Sequence, residues 1–435
     1  MSEPKFPMRR HGRHRYLLLL LFLIFLVGWA GILFLNNLRK QRVIADLEKR
    51  GVKIAWIQTP PLILKKIINP DLLEGFRDVS GIDAEEKIFS DADLMGIGAL
   101  KNIRELRLGN TNVSDETLGK LNGLKHLFHL GLQETKVTDK GLNSLQNLPW
   151  LQTLNLNGTE VTGEGLIHSA RLAKLNNLYL NKSRISDKGL IQISHLPGLS
   201  NLIVNSEGKA PQITDRGILA LSAVQSLQSV YLSGTNISNA GLEAFSGLPV
   251  LRHLHLGHTE ISDDGLRHLQ GLKLLNTLEV QGTQIRGPGL KHLSGLTELT
   301  MLFLANTGVS DRDLSHLQGL KKLEELYLHR TNVTPQGLKQ LAEIKSLKTL
   351  TLENCETFAD AEVELLKGFP QLDTLYPGQL PITEEVLKKL SLHPSLETLA
   401  TLQEYYRIPG EAPYEIQVGK RKLTVEIIPR EALEQ

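Results

Sequence analysis

The 435-residue chain has 14 histidines and one cysteine, the residue types most able to hold a metal or attack a substrate. His253 and His255 flank Leu254, so on a strand they share one face, and His258 follows shortly after. Two outward imidazoles could begin a metal site, but a zinc centre needs further ligands, and no Cys or carboxylate column converges on them. A solvated polar strand face explains them equally well. His268, His292 and His316 recur at steps of 24 residues. Packed helices lie about 8 to 10 Å apart, too far for three such imidazoles to share one ion at about 2 Å. Cys355 stands alone, which excludes an internal disulfide, and a lone cysteine usually packs as a small hydrophobe. There is no nucleophile, base and acid at triad spacing, no glycine-rich phosphate loop after a strand, and no carboxylate pair distinguishable from capping Asp residues. The sequence therefore predicts no enzyme, no catalytic residue, no metal, no cofactor and no small-molecule substrate.

What remains is a chemistry of contact. One residue in each of eleven short segments lies between two aliphatic residues: Arg107, Gly131, Asn155, Tyr179, Ile203, Tyr231, His255, Glu279, Phe303, Tyr327 and Thr351. On strands, all of them face away from the core. Aromatic side chains exposed on a rigid surface make good binding anchors, because they bury large area at low entropy cost. Tyr179, Tyr231, His253, His255, Phe303 and Tyr327 are accordingly the candidate partner-binding residues. A second candidate is the insertion Asn205 to Gln212, N-S-E-G-K-A-P-Q, which would put Glu207 and Lys209 on a rim loop; a neutral insertion is the simpler account.

The elements that position these residues come from an internal repeat. Thr111, Thr135, Thr159 and Ser183, then Thr235, Thr259, Thr283, Thr307 and Thr331, follow one another at steps of 24 residues. A fixed period of this size means one supersecondary unit stacked many times. Each unit reads as a short strand, a Thr turn, an inward Val or Ile and a helix capped by Ser or Thr, as at Ser114-Asp115 and Thr138-Asp139. The neighbouring Asp would suit the helix dipole, the recurring glycine would let helix approach strand, and the Thr column would link neighbouring turns through its hydroxyls. Parallel strands sit about 4.8 Å apart and helices about 8 to 10 Å, so the stack must curve with its strands inside.

The pattern L-x-x-L-x-L-x-x-T-x-V-T-D-x-G-L resembles the leucine-rich repeat, in the 24-residue T-x-V-T-D-x-G-L form of bacterial multi-repeat proteins. It is similar to the repeats of bacterial GALA-type effectors and of F-box adaptors. The resemblance spans residues 100–358 and implies an α/β solenoid, a curved horseshoe with parallel strands on the concave face and helices on the convex face. It says much about fold and little about function.

Before the repeats, residues 1–15 are mainly basic, and Tyr16 to Leu35 form an apolar run of the length that crosses about 30 Å of hydrocarbon. This predicts a transmembrane signal-anchor over residues 16–36. Gly28-Trp29-Ala30 resembles a cleavage site, but the run continues past it. Basic residues on both sides nearly balance; the purer tail favours a cytosolic amino terminus, with the repeats periplasmic or outside. Residues 37–99 read as a juxtamembrane segment and amino-terminal cap with one degenerate repeat. Residues 359–435 read as degenerate repeats closed by a hairpin.

A net charge of +2 with interspersed signs carries no nucleic-acid signal. The expectation is a membrane-tethered scaffold binding a protein through its concave face. An intracellular substrate adaptor of the ubiquitin-ligase kind is the alternative, weakened because no F-box-like module precedes the repeats.

Overall fold

The computed structural model describes residues 11–58, 77–87, 89–94, 96–167, 169–205, 213–352, 362–377, 384–402, 414–418 and 421–428. The insertion with Glu207 and Lys209, Cys355, and the segment after Pro60 lie outside them.

Among the described residues 17 strands form one sheet. Its first two strands are β1 (Lys53–Gln58) and β2 (Arg77–Asp83). Then come β3 (Glu105–Arg107), β4 (His129–Gly131), β5 (Thr153–Asn155), β6 (Asn177–Tyr179), β7 (Asn201–Ile203) and β8 (Ser229–Tyr231). The second half holds β9 (His253–His255), β10 (Thr277–Glu279), β11 (Met301–Phe303), β12 (Glu325–Tyr327), β13 (Thr349–Thr351) and β14 (Thr374–Tyr376). The last three are β15 (Thr398–Leu402), β16 (Tyr414–Val418) and β17 (Arg421–Ile428). From β2 to β15 each strand pairs in parallel with the next, one core aliphatic residue opposite another: Leu106 with Leu130, Leu254 with Leu278, Leu302 with Leu326, and Val230 with Leu202 and Leu254. β1 pairs antiparallel with β2 at one end. At the other, β16 pairs antiparallel with β17, which lies parallel to β15.

The period-two pattern explains the short parallel strands, because the central aliphatic residue of each is fully buried while most of its neighbours are more exposed. Strands of three residues cannot stand alone. The leucine rows instead merge into one continuous core from Ile44 to Leu399, each repeat covering the apolar side of the next.

The convex side differs from the expected row of helices. It consists of short α-helices, such as Asp115–Lys120 and Asp187–Ile193, and of 3₁₀ segments, such as Asp263–Leu269 and Asp311–Leu317, which follow one another from Gly241 to Gly337. A 3₁₀ segment rises about 2.0 Å per residue, more than the α-helix, so it spans a narrow repeat with fewer residues. Ser114, Thr138, Ser186, Thr214 and Thr334 do accept amide hydrogen bonds at these starts.

Three local expectations are corrected. The Asp beside the cap serves the following repeat and not its own turn. Asp139 accepts from the Thr162 amide at 2.9 Å and hydroxyl at 2.8 Å, and from the Gly163 and Gly165 amides at 3.0 and 2.9 Å. Asp115, Asp215 and Asp311 hold Thr138, Ser238 and Thr334 in the same way. The glycine leaves room for that Asp and not for a strand, since a Cβ at Gly165, Gly217 or Gly289 would overlap the Asp of the repeat before. The Thr column does not link turns: Thr135 Oγ1 donates to the Leu132 carbonyl at 2.6 Å within one turn, as Thr111, Thr159 and Thr235 do to Leu108, Leu156 and Leu232.

A helix α1 (His11–Lys49) precedes the sheet. Its last turns bury Ile44 and Leu47 against the first repeat, Lys40 reaches Asp78 at 3.0 Å, and Arg50 reaches Asp93 at 2.6 Å. The expected span Tyr16 to Leu35 is helical, with some of its side chains outside the described residues. Among the described residues no helix is long and apolar enough to cross a membrane, so a transmembrane span is not supported.

Candidate functional site: the aromatic stripe of the open sheet face

Parallel pairing in register carries the residue after each core leucine into one line across the strands. Ile203 lies beside Tyr231, Tyr231 beside His255, His255 beside Glu279, Glu279 beside Phe303, and Phe303 beside Tyr327. Tyr179 joins the line next to Ile203. Apart from Thr351, which is buried at 4% exposure, the column from Tyr179 onward is partly exposed.

Within the stripe, rings pair. Tyr231 and His255 stack with centroids 4.0 Å apart and planes 9° from parallel, and Phe303 and Tyr327 stack at 4.2 Å and 6°. Strand spacing of about 4.8 Å is close to the separation of stacked rings, so register alone brings them together. Because each stack runs from strand to strand, the rings stand on edge against the sheet. One face of each ring is covered by its stacking partner, and the edges point away from the sheet. An aromatic edge carries positive partial charge, so the stripe suits aliphatic groups and carbonyl oxygens better than a cation seeking a π face.

Glu279 divides the two stacks. Its Oε2 lies 2.8 Å from His255 Nδ1 and accepts from Ser233 Oγ at 3.3 Å. Gly257 makes the space, since a Cβ there would overlap the Glu279 carboxylate. With side-chain exposures of 18% and 13%, His255 and Glu279 are tied to each other and pre-set in place. Tyr327 donates to Glu325 at 2.8 Å; burial, then this bond, raises its hydroxyl above the usual tyrosine range. Burial and the charge of Glu279 raise Tyr231 as well, so both phenols are neutral donors at physiological pH.

The remaining candidates separate. His253 sits in the adjoining column with Nδ1 3.1 Å from Thr277 Oγ1, its pKa lowered by burial and then by His255. His258 lies past the strand in a left-handed turn and is exposed, so the three histidines do not form one cluster. Among the described residues no three His, Cys, Asp or Glu side chains could hold a metal ion together.

Three features were not singled out from sequence. Glu279 stood in the outward column, yet its link to His255 required knowing which strands adjoin. Tyr376, paired in register with Thr351, extends the column by one strand beyond the regular repeats. An asparagine row lies beside the stripe: the Asn181 and Asn205 amides donate to the side chains of Asn157 and Asn181, each at 2.7 Å. Its signal was present in sequence as Asn at the same phase in three successive repeats.

Comparison with known proteins bears on the fold. Residues 225–285, which hold β8, β9 and β10, match the leucine rich repeat family, as do residues 147–167. An internalin from Listeria monocytogenes is similar in structure, with 21% identity, a TM-score of 0.51, and 72% of this chain covering 92% of that one. A leucine-rich-repeat protein from Leptospira interrogans shows 20% identity and a TM-score of 0.52, over 72% of this chain and 75% of its own. No curated protein matches the sequence. Similarity at this level speaks for the fold, which is that of a leucine-rich-repeat solenoid.

Proposed function

We propose that this protein is a binding scaffold that holds a partner protein against the stripe from Tyr179 to Tyr327. The observation that carries the reading is the pair of ring stacks, Tyr231 on His255 and Phe303 on Tyr327, fixed on the sheet and partly exposed. Preordered aromatic rings lose little entropy on binding, and anchors of this kind supply most of the affinity in protein interfaces. The on-edge rings and the Glu279 carboxylate favour a partner segment that offers aliphatic side chains and main-chain carbonyls along the stripe, with one donor opposite Glu279. Crosslinking and pull-down from cell membranes tests this. Partners captured by the wild type are expected to be lost with Tyr231→Ala plus Phe303→Ala; undiminished capture would sink the reading.

The same proposal keeps α1 as a membrane attachment. In its support, Leu20, Leu21, Phe22, Leu23, Ile24 and Phe25 are 54 to 67% exposed on one helix, more apolar surface than a helix leaves in water without cover. The repeats would lie on the extracytoplasmic side, held to the membrane by α1. Alkaline carbonate washing should leave the chain in the membrane fraction, and release into the supernatant would refute attachment. A carboxyl-terminal phosphatase fusion should be active and a fluorescent fusion dark; the reverse pattern would overturn the orientation.

A further inference from the structure

A cavity of about 660 Å³ opens between α1 and the first repeat. Asn36, Arg39 and Val43 line it from one stripe of the helix, with Arg42 beside them, and Leu94, Gly96, Gly98, Ala99 and Lys120 form the facing wall. Its volume falls in the range of small-ligand sites, about 300 to 1,000 Å³. The wall is mostly aliphatic or bare backbone, while its charge is all of one sign.

The basic residues here divide by use. Lys40 and Arg50 are engaged in docking α1 through Asp78 and Asp93. Lys120 pairs with Glu116 at 3.0 Å and bonds the Asp91 carbonyl at 2.7 Å. Arg39 and Arg42 make no ion pair with any described residue, although both turn to the cavity. Two guanidiniums without an ion pair among the described residues, at the mouth of an apolar pocket, are complementary to a phosphate carried on an apolar body.

Position supplies the second argument. Arg39 follows Leu35, the end of the apolar run, by four residues, about 6 Å along the helix. If the apolar run of α1 lies in lipid, that places the cavity at the depth of the polar headgroups, which begin just outside the hydrocarbon. We propose that the cavity binds the headgroup and first methylenes of an anionic phospholipid, with Arg39 and Arg42 forking the phosphate and Val43, Leu94 and Ala99 covering the glycerol and chain carbons. The inference rests on the membrane attachment proposed above.

The full chain is compared on vesicles of phosphatidylcholine alone and with one-fifth phosphatidylglycerol. Binding to both, several-fold tighter to the anionic vesicles, is expected. Arg39→Gln and Arg42→Gln should each reduce that preference about fivefold. Gly98→Leu, where an added Cβ meets only the Lys120 carbonyl oxygen at 3.6 Å, puts a branched side chain on the cavity wall and keeps every charge. It should abolish the preference as the arginine variants do. A preference surviving in Gly98→Leu would show attraction by surface charge without a site and overturn the proposal. Equal binding of wild type to both vesicles would overturn it while leaving attachment standing, and binding to neither would remove both. Competition by soluble glycerol phosphate at equal phosphate concentration would make the ligand a free phosphate and not a lipid.

Discussion

Gly287 and Asp313 exchange the roles that Asp and Gly hold elsewhere in the stack. In the usual arrangement the Asp comes first and a glycine 26 residues later makes room for it, as with Asp139 and Gly165. Here glycine comes first, a Cβ on it would overlap the Asp313 carboxyl, and Asp313 turns back to hold Ser310 through its amide at 3.0 Å and hydroxyl at 2.7 Å. Ser90 and Asp93 repeat this local capping in the first repeat, at 2.7 and 2.8 Å. In these repeats the cap is an anion filling one slot, supplied by the repeat before or by its own turn; the neutral Asn239 fills it for Ser262, and the Thr162 carbonyl accepts from Ser186.

The exchange predicts strong coupling. Gly287→Asp alone puts a second carboxylate and a Cβ into an occupied slot at a φ of 118°, and should destabilise by at least about 2 kcal/mol. Asp313→Gly alone leaves the Ser310 amide without its acceptor and should cost about 2 kcal/mol. The double variant restores the arrangement of the other repeats and should recover about 1 to 3 kcal/mol of the sum. Urea denaturation of the four proteins measures this; additive losses would refute the single-slot account.

Asp139 and Thr135 test the two polar columns separately. Asp139→Ala removes acceptors for three amides of the next repeat and should cost about 2 kcal/mol, with hydrogen exchange quickening at Thr162 to Gly165 and not within its own turn. Thr135→Val keeps shape and loses one bond to Leu132, so about 1 kcal/mol is expected, with exchange changing inside that turn alone.

In the stripe, Tyr231→Ala and Phe303→Ala each break a ring stack worth about 0.5 to 1.5 kcal/mol and should lower stability by no more than about twice that. Partner affinity should fall about 30-fold for each, the mark of an anchor residue. A calorimetric titration with any captured partner separates the two effects, because a purely structural role would move stability and leave affinity alone.

Two pH windows follow from the shifted groups. Burial lowers His253, His129 and His329 below the ordinary value of 6.5. The unfolded chain then binds more protons, so stability falls as pH drops below about 6.5 towards the depressed folded values. Replacing the three by Gln should flatten that slope in urea titrations between pH 7 and 5. For Asp91, burial opposes ionisation, but hydrogen bonds from Ser114 and Thr117 outweigh it and lower its pKa below 3.8. Asp93 is lowered in the same sense: burial opposes ionisation, and Ser90 and Arg50 outweigh it. Their stabilisation is complete above about pH 4 and lost as pH falls further, a loss that Asp91→Asn should reduce.

The repeat, its strands, the inward leucines and the outward column could all be read from sequence, because a side chain that recurs at one phase of a stacked unit has the same environment each time. Tyr179, Tyr231, His255, Phe303 and Tyr327 were identified in this way. Partners between repeats could not be read. That Asp139 holds Thr162, that Gly165 exists for Asp139, and that Glu279 reaches His255 depend on which atoms adjoin across the 24-residue step. Period fixes phase along the chain; only packing in three dimensions fixes which side chain crosses to the neighbouring turn, since the hydroxyl of Thr135 could as well have bonded forward as back. The cavity at Arg39 and Arg42 is likewise tertiary, because it arises where a helix outside the repeat pattern meets the first turn of the stack.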